Sequence, residues 1–258
     1  MTSIGVNDVG RLAVEHGLPG KVAHEIVDHM RPCLYLVPLD ELSRKEDIRP
    51  AARTGGLPSL PAGVEWPDGG EPLVLTVDCA ALPGDVLDFE LPPDGHLLFF
   101  TQLRYEPTSS AVLYVPEGVP LTERPPAQVK EDETWEIEVY EPCTLYPVAG
   151  LTLDEDWLSR PQTRAFLDQS TENQGRVDHF KEAVLDSITS QTERDSSVQL
   201  GGCANSWQTA PEEEGSVLLA QIQGQGVDNS LYTQTLILGG REDIAARRFE
   251  SLRYEQEY

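Results

Sequence analysis

A chain of 258 residues can bury a sizeable core without disulfide or metal staples, and its 39% hydrophobic and 24% charged residues are those of an ordinary globular protein. Its 44 acidic against 19 basic residues leave a formal net charge of −25, a field that repels phosphate backbones and anionic lipid, so neither nucleic acid nor membrane is an expected partner. No run approaches the ~18 apolar residues of a membrane span and no apolar leader opens the sequence, so a cytoplasmic location is expected.

Residues 1–50 read as an N-terminal helical segment. Asn7 is placed to cap a first helix, and Gly17-Leu18-Pro19-Gly20 interrupts it. From Lys21 the apolar positions Val22, Ile26 and Met30 recur at helical spacing, Val27 widens the stripe, and Pro32 is the expected stop. Leu34 to Val37 reads as a short strand, and Asp40 as the cap of a brief helix ending before Pro50. The glycines and prolines from Gly55 to Pro67 then demand an irregular loop. Leu73 to Val77 and His96 to Phe100 are buried apolar runs, expected as antiparallel strands around a long connection. A third pair is expected from Ala111 to Val115 and Thr134 to Tyr140, where Trp135, Ile137 and Val139 alternate with polar neighbours. Residues 151–197 read as a helical region, with Val177, Phe180, Val184, Leu185 and Ile188 on one face that covers a sheet. Strands follow at Val217 to Ile222 and Leu231 to Leu238, then a short helix from Arg241 to Phe249 and a last strand over Leu252 to Tyr258.

A Gly-Gly loop, a tryptophan, an apolar strand, an excursion and a second apolar strand occur in that order twice. One series starts at Gly55-Gly56 with Trp66, the other at Gly201-Gly202 with Trp207. The expected fold is therefore α+β with mostly antiparallel sheets, an N-terminal helical segment and a covering helix. Its main domain spans residues 51–258, with duplicated sheet units over 54–142 and 198–258 joined by the helical region.

Chemistry-bearing motifs are sparse. His24 and His29 stand five apart, about 140° around a helix, which splays them instead of aiming both at one metal. His24 with Asp28 reads as an i,i+4 pair, as does Asp243 with Arg247. Asp154-Glu155-Asp156 and Glu242-Asp243 open helical segments and read as caps. Gly224-Gln225-Gly226 lacks a dinucleotide fingerprint's third glycine and reads as a hairpin connection. Cys33, Cys79, Cys143 and Cys203 form no C-x-x-C pair and read as reduced structural thiols. No cofactor is implied, and whether the chain is an enzyme stays open.

The run Gly55-Gly56-Leu57-Pro58 through Gly63-Val64-Glu65-Trp66-Pro67, then Leu91-Pro92-Pro93-Asp94-Gly95 before His96 to Phe100, resembles the YwqG-like family of uncharacterised bacterial proteins. Gly215 to Ile222 and Arg241 to Phe249 are similar to that family's closing strand and helix. The resemblance implies a mostly antiparallel α+β fold and, for some members, a place beside toxin and immunity systems. The chain departs from the pattern at Gln199, where the family usually has His, and at Gly202-Cys203-Ala204, in place of Gly-Tyr-Pro.

Two functional readings follow. An immunity or regulatory factor would contact a basic protein through an acidic surface, with Glu131, Asp132, Glu133, Glu136 and Glu138 as the candidate face. An enzyme or small-molecule binder would instead use a cleft between the two glycine loops, lined by Gly55, Gly56, Trp66, Gly201, Gly202 and Trp207; core plugging is the competing role of the tryptophans. Oligomeric state is left open.

Overall fold

The computed structural model describes residues 6–42, 48–67, 70–104, 109–126, 137–189, 198–206 and 216–258. Helices α1 (Val6–Glu15) and α2 (Gly20–Asp28) lead into β1 (Met30–Pro38), β2 (Ala52–Thr54), β3 (Ser59–Pro61), β4 (Leu73–Asp78), β5 (His96–Phe100), β6 (Ala111–Val115), β7 (Leu121–Glu123) and β8 (Cys143–Leu153). There follow α3 (Pro161–Leu167), α4 (Thr171–Thr189), β9 (Val198–Gly201), β10 (Ser216–Gln223), β11 (Gln234–Gly240), α5 (Arg241–Ala245) and β12 (Arg253–Glu257). Among the described residues ten strands make one sheet in the order β12-β11-β10-β9-β1-β8-β2-β4-β5-β6, and β3 pairs with β7 as a separate ribbon. Every pairing is antiparallel, so the fold is α+β around a large antiparallel sheet.

The sheet's two wings share one register. Thr54, Leu75, Phe99 and Val112 lie side by side across β2, β4, β5 and β6. Leu200, Ala220, Ile237 and Tyr254 do the same across β9, β10, β11 and β12. A bulge interrupts each wing at the matching place, between Leu73 and Leu75 and between Leu218 and Ala220. Each inner strand ends in two left-handed glycines, Gly55 and Gly56 at φ 60° and 76°, Gly201 and Gly202 at 67° and 79°. The central strands are exchanged: β2 pairs with β8, and β9 with β1, so that Thr54 faces Cys143 and Leu200 faces Leu34. The offset that carries Leu34 onto Cys143 carries Val37 onto Tyr146, and these two are cross-strand partners. The relation is therefore two-fold about that pair.

The wings curl toward each other over a shared core in which Leu75, Phe99 and Val112 meet Leu200, Ile237 and Leu252. Cross-wing ties close it: Thr233 Oγ1 donates to Leu103 O at 2.6 Å, Gln256 Nε2 to Gln102 O at 3.1 Å, and Arg247 lies 4.3 Å over the Tyr114 ring. A helical layer buries Val22, Ile26, Trp157, Val177 and Phe180 against Met30 and Leu151, with α4 covering the end of β8.

Several local expectations are corrected. Met30 packs with the stripe of α2, which is why it shares the helical period, yet it is the first residue of β1. Pro32 sits inside that central strand because β9 stops opposite Cys33 and leaves one side of Pro32 unpaired. Residues 137–140 are not a strand, and among the described residues β6 pairs with β5 alone; residues 134–136 lie outside the described residues. Among its described residues the helical region begins with the end of β8, to Leu153, and then holds a 3-10 turn over Glu155–Ser159 and the two helices α3 and α4. Asp243 pairs with Arg248 at 2.6 Å instead of Arg247, whose left-handed backbone at the end of α5, φ 60°, turns its guanidinium toward Tyr114. The side chains of Leu185 and Ile188 lie outside the described residues.

Candidate functional site

On the face opposite the shared core, the first wing carries a polar pocket of about 240 Å³. Strand alternation sends Arg53 of β2, Thr76 and Asp78 of β4, His96 of β5 and Thr144 of β8 to this side, against a backing of Pro50, Ala51 and Ala52. Arg53 is the cross-strand neighbour of both Thr76 and Thr144, and Asp78 that of His96. Two members are already engaged. Arg53 Nη2 donates to Leu57 O at 2.9 Å, and Asp78 Oδ1 accepts from Ala80 N at 3.1 Å. Two atoms are not: His96 Nδ1 and Thr76 Oγ1 are buried with no hydrogen-bond partner. A buried polar atom left unpaired costs ~1–3 kcal/mol, so the pocket holds unused binding capacity. It offers a guanidinium, a carboxylate, an imidazole and two hydroxyls to one small ligand.

The matching place on the second wing is filled. Gln221 Oε1 accepts from Asn205 N at 2.8 Å, Gln234 Nε2 donates to Asn205 O at 2.7 Å, and Gln223 Nε2 donates to Gln234 Oε1 at 2.8 Å. The buried Glu257 carboxylate accepts from Gln234 and from Ser206 Oγ. This network pins residues 205–206 to the sheet. A wider groove of about 410 Å³ lies between α3 and α4, where Arg164 is already paired with Asp168 at 3.4 Å.

The two glycine loops do not meet. Gly55 ends a strand that faces Cys143, whereas Leu200, beside Gly201, faces Leu34, itself opposite Ala149. Those points are six residues apart along β8, roughly 20 Å at about 3.4 Å per residue. Close packing explains both pairs: an added Cβ would lie 2.7 Å from Tyr140 O at Gly55 and 2.7 Å from Leu87 at Gly201. At Gly56 it would lie 3.2 Å from the Arg53 guanidinium, and at Gly202 2.6 Å from Thr152 Oγ1. Trp66 plugs a core, edge-on to Phe100 at 5.6 Å with its indole N–H donating to Glu71 O at 2.9 Å. Trp207 lies outside the described residues, as do Glu131, Asp132, Glu133 and Glu136. Glu138 is described, and it pairs with Arg104 at 3.2 Å.

His24 pairs with Asp28 at 3.6 Å, while His29 is buried elsewhere, its Nδ1 bonded to Glu25 O at 2.7 Å and its Nε2 accepting from Arg160 at 2.8 Å. Glu25 caps α3 by accepting from Gln162 N, Thr163 N and Thr163 Oγ1 at 2.8 to 3.0 Å. Desolvation pushes its carboxyl up, but those bonds and the Arg160 charge outweigh it and hold it below the usual range. Asp154 caps the turn at Asp156 N, 2.9 Å away, and Gly224 to Gly226 form the turn between β10 and β11. Burial pushes the Cys33 and Cys79 thiols up to about 12. All four cysteines are free. Among the described residues no cluster of three or more His, Cys, Asp or Glu is placed to hold a metal ion, and no helix is long and apolar enough to cross a membrane.

Sequence reasoning missed the pocket. Its only local trace is polar residues on buried runs: Thr76 between Leu75 and Val77, and His96 heading an apolar strand.

Residues 52–256 match the family described as a domain of unknown function, DUF1963, and the chain belongs to it. The match opens with the first residue of β2 and ends within β12, so β1, at the middle of the sheet, precedes it. No curated protein matches the sequence.

Proposed function

We propose that this member of the DUF1963 family is a binding protein that takes a small ligand in the polar pocket of its first wing. One observation carries the reading: His96 and Thr76, which line the pocket, each hold a buried polar atom, Nδ1 and Oγ1, with no hydrogen-bond partner. Evolved interiors satisfy such atoms, and the exceptions call for a functional account. The test is thermal stabilisation by a panel of small amides, carboxylates, phosphates and amines, run on the wild type and on a Thr76→Val/His96→Leu double variant checked for folding by circular dichroism. Stabilisation of the wild type alone supports the pocket. Equal stabilisation of both proteins, or none of either, overturns it.

A second reading is favoured by charge. Its 44 acidic against 19 basic residues leave a net charge of −25. Such a field speeds encounter with basic proteins, in keeping with the regulatory or immunity role suggested by the YwqG-like resemblance. Reversing the carboxylates from Glu131 to Glu138 then lowers the association rate with a captured and purified basic partner. An unchanged rate with an unchanged salt slope removes that face from consideration.

A further inference from the structure

The two wings make a direct comparison possible, because their shared register matches side chains one to one. From the aligned set Thr54, Leu75, Phe99 and Leu200, Ala220, Ile237, one step along each strand matches Arg53 to Gln199, Thr76 to Gln221 and Leu98 to Leu236. His96 lies opposite Asp78 and diagonal to Thr76, just as Gln234 lies opposite Gln223 and diagonal to Gln221.

The match extends to hydrogen bonds. Arg53 donates to Leu57 O at 2.9 Å and Gln199 to Cys203 O at 3.0 Å, each gripping the carbonyl of the residue that follows the glycine pair. Beyond that grip the loops part. In the second wing the chain returns to the sheet, and Asn205 sits between Gln221, which takes its N–H, and Gln234, which gives to its C=O. In the first wing the chain runs into β3 and pairs with β7, and Thr76 Oγ1 and His96 Nδ1 are left without a hydrogen-bond partner.

We infer that the first-wing pocket binds one residue of a peptide backbone, its N–H and its C=O supplied from outside the chain, in the place that Asn205 occupies on the second wing. The inference rests on the reading of the pocket as the ligand site and adds the class of ligand. Thr76 Oγ1 stands where Gln221 accepts, and His96 Nδ1, in the tautomer that carries its proton there, stands where Gln234 donates. Threonine and histidine reach less far than two glutamines, which leaves room for the pocket of about 240 Å³. That volume is below the ~300–1,000 Å³ of pockets for drug-sized ligands, and suits one or two peptide units better than a nucleotide.

The probe is acetyl-Ala-Asn-Ser-amide, the sequence of residues 204–206 that fills the second wing, titrated to its solubility limit into ¹⁵N-labelled full-length protein while the histidine ring signals are followed. Acetate, inorganic phosphate and methylammonium are titrated separately. The expected result is a saturable shift of the His96 ring signals by the peptide, with His24 and His179 unmoved. Thr76→Val should weaken it about five- to tenfold, the loss of one hydrogen bond. A Thr76→Ser variant, which keeps the hydroxyl, should retain binding and guards against misfolding of the valine variant. If acetate, phosphate or methylammonium shifts His96 and the peptide does not, the peptide-group assignment fails and the pocket reading stands. If no probe shifts it, both fail.

Discussion

Equivalent positions in the two wings should respond oppositely to the same change. Gln234→Leu removes the donor of two buried acceptors, Asn205 O at 2.7 Å and the Glu257 carboxylate, and removes the acceptor for Gln223 Nε2 at 2.8 Å. At ~1–3 kcal/mol for each stranded buried group, and with Glu257 keeping Ser206, the loss is about 3 kcal/mol. For a chain of this size that lowers the melting temperature by about 6–12 °C. His96→Leu, at the matching place, strands nothing, because His96 Nδ1 has no partner. It removes a buried unsatisfied atom and should change stability by less than about 0.5 kcal/mol, or raise it. Urea titrations of the three proteins at one pH, with equal m-values as the check on comparable unfolding, read the difference. Equal losses, or a greater loss at His96, would refute the claim that the second wing is filled and the first open.

Gly55→Ala should cost about 2–4 kcal/mol, since a left-handed backbone disfavours a side chain by ~1–2 kcal/mol and the new Cβ meets Tyr140 O at 2.7 Å; a loss below about 1 kcal/mol in urea would contradict this close approach. The folded pKa of Glu25 lies below its unfolded value, so its contribution is present above the ordinary glutamate range and lost as pH falls through the folded value. Glu25→Gln should therefore be less stable than the wild type at neutral pH, with the gap closing below about pH 4. A gap that does not vary with pH would remove the carboxylate from the capping of α3. Cys33 and Cys79, pushed by burial to about 12, should resist iodoacetamide at about pH 8 until the protein is denatured, as read by peptide mass mapping. Prompt labelling of the native protein would contradict their burial.

The wings were legible in the sequence because their apolar runs carry their own signal: Leu73 to Val77, His96 to Phe100, Val217 to Ile222 and Leu231 to Leu238 each lie within or overlap a strand. The centre was not. β8 is the longest strand, yet Thr144, Pro147 and Gly150 break any two-residue alternation, and its stability comes from partners on both sides. Met30 followed the helical period because it packs with Val22 and Ile26, although its backbone is extended. The pocket was hidden for a related reason. Arg53, Thr76 and His96 are distant in sequence and become neighbours only through register, and the glycine loops, which do stand out in the sequence, lie closely packed at opposite ends of the central ladder.

The most direct measurement is a crystal of the wild-type protein soaked in acetyl-Ala-Asn-Ser-amide. The account predicts one residue of the peptide in the first-wing pocket with its C=O within hydrogen-bond distance of His96 Nδ1 and its N–H on Thr76 Oγ1, and the Asn205 loop unmoved on the second wing. An empty first-wing pocket, or one closed over Thr76 and His96 by the protein's own chain, would contradict it.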